Sequence, residues 1–273
     1  MKTAKFKLGC LSLIKPIEEM FDETSESGFS HIEIDLLEKH SCIESFDAKR
    51  IRKIVKEATK YDISISLHVP YTLNPSDEIL SIRRANIEYL EKAVKLAHKI
   101  KATHITTHIG YYIGLPSWKW KRKQALERLL LSLEKVLPLC GNLEVLLAIE
   151  NVNPMPKHSE FFYLGDNIND LQYIFSKLKS PNLKLCLDVG HANTNEGPIK
   201  YIEEFADRIV SVHIHDNNGK YDEHLTIGMG TINWNILADE FKKIKFYGPF
   251  VYEVLSRTPQ ESREDLEKNL KLF

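Results

Sequence analysis

Short apolar runs recur along the chain at 63–67, 103–107, 145–149, 183–187, 209–212 and 250–252, each rich in Val, Ile or Leu and each followed directly by a polar residue. Read as runs unbroken by alternation, they predict strands of a parallel sheet buried on both faces. Two earlier strands are predicted at 6–13 and 32–36. Amphipathic stretches lie between them. Pro16 stands near the start of a helix that stops at Gly28, and 47–60 carries Ile51, Ile54, Val55 and Ala58 at core spacing. Asn74 followed by Pro75 predicts an N-cap and first turn for a long helix through Ile79, Ile82, Ile87, Leu90, Val94 and Ala97. Further helices are predicted at 118–139, after a capping Asp166 (Ile168, Leu171, Ile174, Leu178), near 199–206, near 234–243 and from Pro259 onward.

Eight alternating strand-helix units in 273 residues predict a (β/α)₈ barrel, with one domain spanning 1–273. An open doubly wound sheet fits less well, because no Gly-rich phosphate turn follows the first strand. There are no repeats, linkers or low-complexity tracts. A chain that is 43% hydrophobic and 27% charged has the composition of an ordinary globular domain. No apolar stretch reaches eighteen residues and the N-terminus shows no small-residue cleavage pattern, so a cytoplasmic protein with no membrane partner is expected. Cys10, Cys42, Cys140 and Cys186 are too scattered for a zinc ribbon or redox pair and read as reduced thiols. A net charge of −1 demands no global nucleic-acid partner.

What changes this bland picture is the chemistry at the strand ends. His68, His108, Glu150, Asp188, His191, His213, Asp222, His224 and Glu253 fall at or just beyond the predicted C-terminal ends, the face on which such barrels carry their sites. Glu150, Asp188 and Glu253 each terminate a nearly uncharged strand, and carboxylates converging on a barrel axis call for a compensating cation. By contrast His31 and His104 precede their predicted strands and fall at the bottom face, His98 lies in a helix, and His40 and His158 lie in loops. His215 shares a strand face with His213 and reads as a supporting or substrate contact, and Asp216 as a residue that orients a ligating histidine. Asn151 and Asn193 read as neighbours of ligands or as turn residues.

The segments HVPY at 68–71, THIG at 107–110, IEN at 149–151, LDVGHAN at 187–193, HIHDN at 213–217, DEHLTIGMGTINW at 222–234 and YEV at 252–254 resemble the xylose isomerase-like TIM-barrel superfamily over most of the chain. That superfamily includes sugar isomerases and epimerases and the endonuclease IV type of abasic-site endonuclease. The resemblance to the isomerase branch implies one divalent ion on Glu150, Asp188, His213 and Glu253. The two glutamates would then serve as catalytic acid and base through an enediolate, and His191 would bind substrate oxygen. The resemblance to the endonuclease branch implies three zinc ions: one on His68 and His108, Glu150 bridging to a second on Asp188, His213 and Glu253, and a third on His191, Asp222 and His224. Tyr71 also matches a tyrosine of that branch, and Tyr71 and Asn151 are expected to touch substrate. Loops reading LSLIKPIEE and DLLEKHS lack the small-residue and Arg-bearing segments that probe DNA, and HIEIDLL at 31–37 looks more like a sugar isomerase.

The expected function is therefore a metal-dependent isomerase or epimerase of a sugar or sugar phosphate, with one to three ions, zinc first and manganese as the alternative. The second reading is an abasic-site DNA endonuclease or other phosphoesterase. A non-catalytic metal-binding scaffold ranks last. Trp118, Lys119, Trp120, Lys121, Arg122 and Lys123 cluster at a helix start, where they read either as an anion-binding patch, with Trp118 and Lys119 touching substrate, or as a solvated basic face. Tyr111, Tyr112, Phe161, Phe162 and Tyr163 read either as stacking platforms or as packing for long loops.

Overall fold

The computed structural model describes residues 7–13, 15–115, 117–254 and 257–269. Its elements in chain order are β1 (Lys7–Leu11), α1 (Phe21–Glu26), β2 (His31–Asp35), α2 (Ala48–Tyr61), β3 (Ser64–His68), α3 (Leu80–Ile100), β4 (His104–Thr107), β5 (Tyr111–Ile113) and α4 (Lys119–Asn142). They continue with β6 (Leu146–Glu150), β7 (Phe161–Tyr163), α5 (Ile168–Lys177), β8 (Leu183–Asp188), α6 (Val189–Asn193), α7 (Pro198–Phe205), β9 (Ile209–Ile214), α8 (Trp234–Lys243), β10 (Pro249–Tyr252) and α9 (Pro259–Asn269). Eight strands close a parallel barrel in the order β1-β10-β9-β8-β6-β4-β3-β2, and β5 and β7 form a separate antiparallel pair. The expected (β/α)₈ barrel is what the chain forms. Among the described residues no helix is long and apolar enough to cross a membrane, and all four cysteines are free.

The strands are not the uniformly apolar runs expected from the sequence. β2 reads His-Ile-Glu-Ile-Asp and β3 Ser-Ile-Ser-Leu-His, and their register pairs His31 with Ser64, Glu33 with Ser66 and Asp35 with His68. Ile32, Ile34, Ile65 and Leu67 pack in the apolar core. The alternate residues face the barrel axis: Glu33 on β2 lies 2.8 Å from His213 on β9, a strand that does not adjoin β2, so both side chains cross the interior. His31 and His104, expected to precede their strands at the bottom face, are instead the first residues of β2 and β4 and are fully buried. Their rings stack at 6.0 Å between centroids and 2° between planes. Gly9 on β1 makes room for His31, since a Cβ there would lie 3.0 Å from His31 Cδ2.

Several helix starts differ from expectation. α3 begins at Leu80 rather than at Asn74, because the Asn74 side chain is engaged elsewhere: its Oδ1 accepts from Ser76 N, Ser76 Oγ and Tyr111 N, and its Nδ2 donates to Tyr111 O. Asn167, not Asp166, caps α5 by accepting from Asp170 N at 3.1 Å. Asp166 is taken by Arg122, which turns inward from α4 to pair with Asp166 and, at 2.6 Å, with Asp170. The first strand spans Lys7–Leu11, and the expected Phe6 lies outside the described residues.

Arg122→Leu would strand two largely buried carboxylates and is expected to cost about 3 kcal/mol of stability, because a buried charge left unpaired is the expensive half of a broken pair. Urea unfolding of the variant checks this. A loss near zero would mean that the two aspartates find water instead.

Candidate metal centre

The C-terminal mouth of the barrel gathers the predicted ligands because each strand ends there on an inward-facing polar residue. His68 ends β3, Glu150 ends β6 and Asp188 ends β8, while His108 and Glu253 directly follow β4 and β10. His213 is the fifth residue of β9, and His215 follows its last residue on the same face. His191, expected at a strand end, lies in α6, whose N-cap is Asp188 accepting from His191 N. Asp222 and His224 lie in the loop after β9. Asp216 shapes that loop: its backbone pairs with Leu225 in both directions at 2.8 Å, and its carboxylate accepts from Asn217 N, Gly228 N and Trp234 Nε1. It therefore folds the loop carrying two of the predicted ligands, Asp222 and His224, rather than orienting a histidine ring as expected.

Three groups of donor atoms result, each with all its atoms within 4.8 Å of one another: His68, Glu150 and His213; Glu150, Asp188, His213 and Glu253; and His191, His215, Asp222 and His224. His108 stands beside them, with Nε2 3.3 Å from Glu150 Oε2. Asp222 Oδ1, Glu253 Oε2, His108 Nδ1 and His215 Nδ1 are buried without a hydrogen-bond partner among the described residues. Orphaned donors and acceptors in a cluster of buried carboxylates and imidazoles fit a divalent cation.

The histidines are also oriented as ligands. His68 Nδ1 donates to Val69 O (2.8 Å), His191 Nδ1 to Asn151 O (2.9 Å) and His224 Nδ1 to Glu253 O (2.7 Å). Each thereby aims Nε2 at a carboxylate: Glu150 at 3.0 Å, Asp222 at 3.2 Å and Asp222 at 3.1 Å. A backbone carbonyl fixing one ring nitrogen leaves the other free for a metal. His215 Nε2 lies 3.1 Å from Asp188 Oδ1, and its ring stacks on His224 at 4.0 Å and 14°. Gly190 permits this, since a Cβ there would meet His215 Cε1 at 2.0 Å.

Without a bound ion, protonated imidazoles would balance the clustered carboxylates. Burial alone would raise Glu150, but the charges of His213 and His108 and their hydrogen bonds hold it well below the usual carboxylate range. Burial would lower His68, yet its hydrogen bond to Glu150 and the charges of Glu150, Glu33 and Asp35 raise it to about 10. His224 is likewise depressed by burial but raised to about 9 by Asp222 and Glu253. Both folded values exceed the unfolded value of about 6.5. The stability they contribute is complete below that value and is lost as pH rises through about 9 to 10. The melting temperature of chelated protein is therefore expected to fall from neutral to alkaline pH, and a bound divalent ion should flatten the profile by replacing the protons. Thermal melts with and without chelator test this, and a chelated protein equally stable across the range would contradict it.

Above the cluster opens a cavity of about 350 Å³, walled by His68, His108, His191, Asp222, His224 and Glu253 together with Leu13, Asp35, Leu37, Tyr71, Asn153 and Tyr163. Tyr71, half exposed, thus stands where a substrate contact was expected. Asn151 does not: it is fully buried and brackets Asp188, donating to its carbonyl at 2.8 Å and accepting from its N–H at 2.9 Å. Asn193 is spent on Asn217 and Thr231. Trp118 and Lys119 are not brought to the cavity; Trp118 stacks on exposed Trp120 at 6.0 Å, and Lys121 lies over both rings. Of the two aromatic stretches only Tyr163 reaches the cavity wall, while the rest pack β5 against β7.

Sequence reasoning missed Glu33 and Asp35, both of which the alternation in HIEID could have revealed. Glu33 is fully buried beneath the cluster. Asp35 lines the cavity, and burial holds its carboxyl above the usual range.

This site and barrel place the protein among metal-dependent TIM-barrel enzymes in type. The chain belongs to the xylose isomerase-like TIM barrel family, whose model matches residues 21–273. An uncharacterised protein of Methanocaldococcus jannaschii is 32% identical over 191 residues, 70% of either chain. Fructoselysine 3-epimerase of Escherichia coli O157:H7 is 24% identical over all of this chain and 97% of its own. A probable endonuclease 4 of Mycoplasmopsis pulmonis is 26% identical over 62% of this chain and 61% of its own. The crystal structure of a D-tagatose 3-epimerase-like protein superposes with a TM-score of 0.84 at 26% identity, covering 97% of both chains.

Proposed function

We propose that this chain is a divalent-metal-dependent isomerase or epimerase of a sugar, acting by proton transfer at a carbon beside a carbonyl. The observation that carries this is the group Glu150, Asp188, His213 and Glu253, converging within 4.8 Å, with Glu253 on the wall of a cavity of about 350 Å³. The full-length similarity to a 3-epimerase supports it. These four side chains would hold the ion, with zinc or manganese both compatible with a mixed imidazole and carboxylate set. When bound, the ion would polarise the sugar carbonyl and its neighbouring hydroxyl.

The chain's own residues divide the remaining work. Glu253 lines the cavity with 16% of its side chain exposed, so its carboxylate is the one placed to take a proton from the sugar. Glu150 is 1% exposed and lies beneath, met by His68, His108 and His213. Its part is chiefly to hold the ion and to pass a proton only through groups above it. Asp35, kept protonated more readily by burial, offers a second carboxyl on the cavity wall. Tyr71 and Tyr163 offer ring faces to a sugar. The described wall carries no Lys or Arg to meet a phosphate, which favours a free sugar over a sugar phosphate or a DNA backbone.

One observation favours the second reading: His191, Asp222 and His224 form a donor group of their own, as phosphoester hydrolysis at a multinuclear centre would use. Incubating the zinc- or manganese-loaded protein with free ketoses, fructoselysine, sugar phosphates and an abasic-site oligonucleotide separates the two. Interconversion of a free sugar with intact DNA is the expected result, and DNA nicking without sugar turnover would reverse the assignment.

A further inference from the structure

His213 is the exception among the oriented histidines. His68, His191 and His224 each give Nδ1 to a backbone carbonyl, but His213 points Nδ1 at the cluster, 3.1 Å from Glu150 Oε1 and 3.2 Å from Glu253 Oε2. Its Nε2 faces down the barrel axis to Glu33 Oε1 at 2.8 Å, an ion-pair contact, and neither atom has an aligned hydrogen bond among the described residues. Glu33 is held in turn: its Oε2 accepts from Ser66 Oγ at 2.7 Å and Thr106 Oγ1 at 3.2 Å. Ser66 Oγ stands 2.9 Å from His31 Nε2, and His31 Nδ1 stands 2.8 Å from Ser64 Oγ. A polar column thus runs inside the barrel from its N-terminal mouth to the cluster.

Barrel interiors are ordinarily filled with branched apolar residues, and a carboxylate with no exposure is costly there unless it is used. We propose that Glu33 is a positioning residue for the metal centre, keeping the His213 proton on Nε2 and the Nδ1 lone pair on the ion. Among the described residues no carbonyl does this for His213, and a carboxylate acceptor also makes the ring a stronger donor to the ion than a carbonyl would. The serine and threonine hydroxyls fix the rotamer of Glu33, so that the relay is braced from β3 and β4.

The inference rests on the cluster holding a divalent ion, and not on which sugar is converted. Calorimetric titration of chelated protein with Mn²⁺ and Zn²⁺ tests it, comparing wild type with Glu33→Leu and Glu33→Gln. Glu33→Leu should weaken binding about 10- to 100-fold. Glu33→Gln should weaken it less, because the amide oxygen can still accept from Nε2. Ring ¹⁵N spectra of the zinc-loaded protein should show the Nε2–H form of His213 in wild type and a mixture of tautomers in Glu33→Leu. Unchanged affinity and tautomer with only a lower melting temperature would overturn the proposal and leave Glu33 a packing residue. Wild type that takes up no ion would overturn the metal-centre reading with it, whereas ion uptake without sugar turnover would leave this inference standing.

Discussion

Glu150→Gln is expected to strip the deeper donor group of its ion and to remove turnover with it. Four imidazoles approach this one carboxylate: His68 at 3.0 Å, His213 at 3.1 Å, His108 at 3.3 Å and His191 at 3.8 Å. An amide of the same shape presents N–H donors where ligand lone pairs converge, and it withdraws the negative charge at the centre of the cluster. Groups one step removed from a metal typically cost about 10- to 100-fold in affinity, so the loss here should exceed that range. Metal analysis after dialysis, with circular dichroism to establish folding, reads the result. A folded variant with wild-type ion content and turnover would contradict the assignment of Glu150.

Glu253→Gln should separate proton transfer from ion holding. Glu253 is the most exposed of the four ligands proposed for that ion and lines the cavity wall, while Glu150, Asp188 and His213 remain to bind the ion without it. Turnover is expected to fall about 10²- to 10⁴-fold, the usual worth of a positioned acid or base. Ion content should fall only in part, and KM should move far less than kcat, because the lost interaction belongs to the transition state. Steady-state kinetics on the converted sugar check this. Near-normal kcat would assign the proton to another group, with Asp35 the next carboxyl on the wall.

The positions of the candidate ligands were legible in the sequence because barrel chemistry obeys a positional rule. A polar residue ending an apolar run can be placed at the C-terminal mouth without knowing any distance, and His68, Glu150, Asp188 and Glu253 all stand there. What lay below the mouth was read less well. Runs such as HITT at 104–107 and SVHIH at 211–215 alternate, because in this barrel these strands turn apolar residues outward and polar ones inward, and the alternation was hidden by looking for continuous hydrophobicity. His31 and His104 were left just outside strands that they begin, and Glu33 was overlooked, for that reason.

Other differences come from side chains whose direction no linear pattern encodes. The basic stretch after Trp118 looked uniform, yet Arg122 turns inward to two aspartates while Trp118 and Trp120 stay outside. Asn74 and Asp166 carry cap-like residue types but are claimed by long-range partners, Tyr111 and Arg122. His224 sits in left-handed backbone at φ 46°, a conformation uncommon outside glycine, and only the folding of its loop on Asp216 brings it over Asp222.

The most direct test of the proposed chemistry is proton NMR of the metal-loaded protein with a free ketose in D₂O. Proton transfer beside the carbonyl is expected to give an epimer or isomer carrying solvent deuterium at the reacting carbon, with no exchange in chelated protein or in Glu253→Gln. Loaded protein that places deuterium in no sugar of the panel, yet cleaves abasic-site DNA, would contradict an isomerase or epimerase and make this barrel a phosphoesterase.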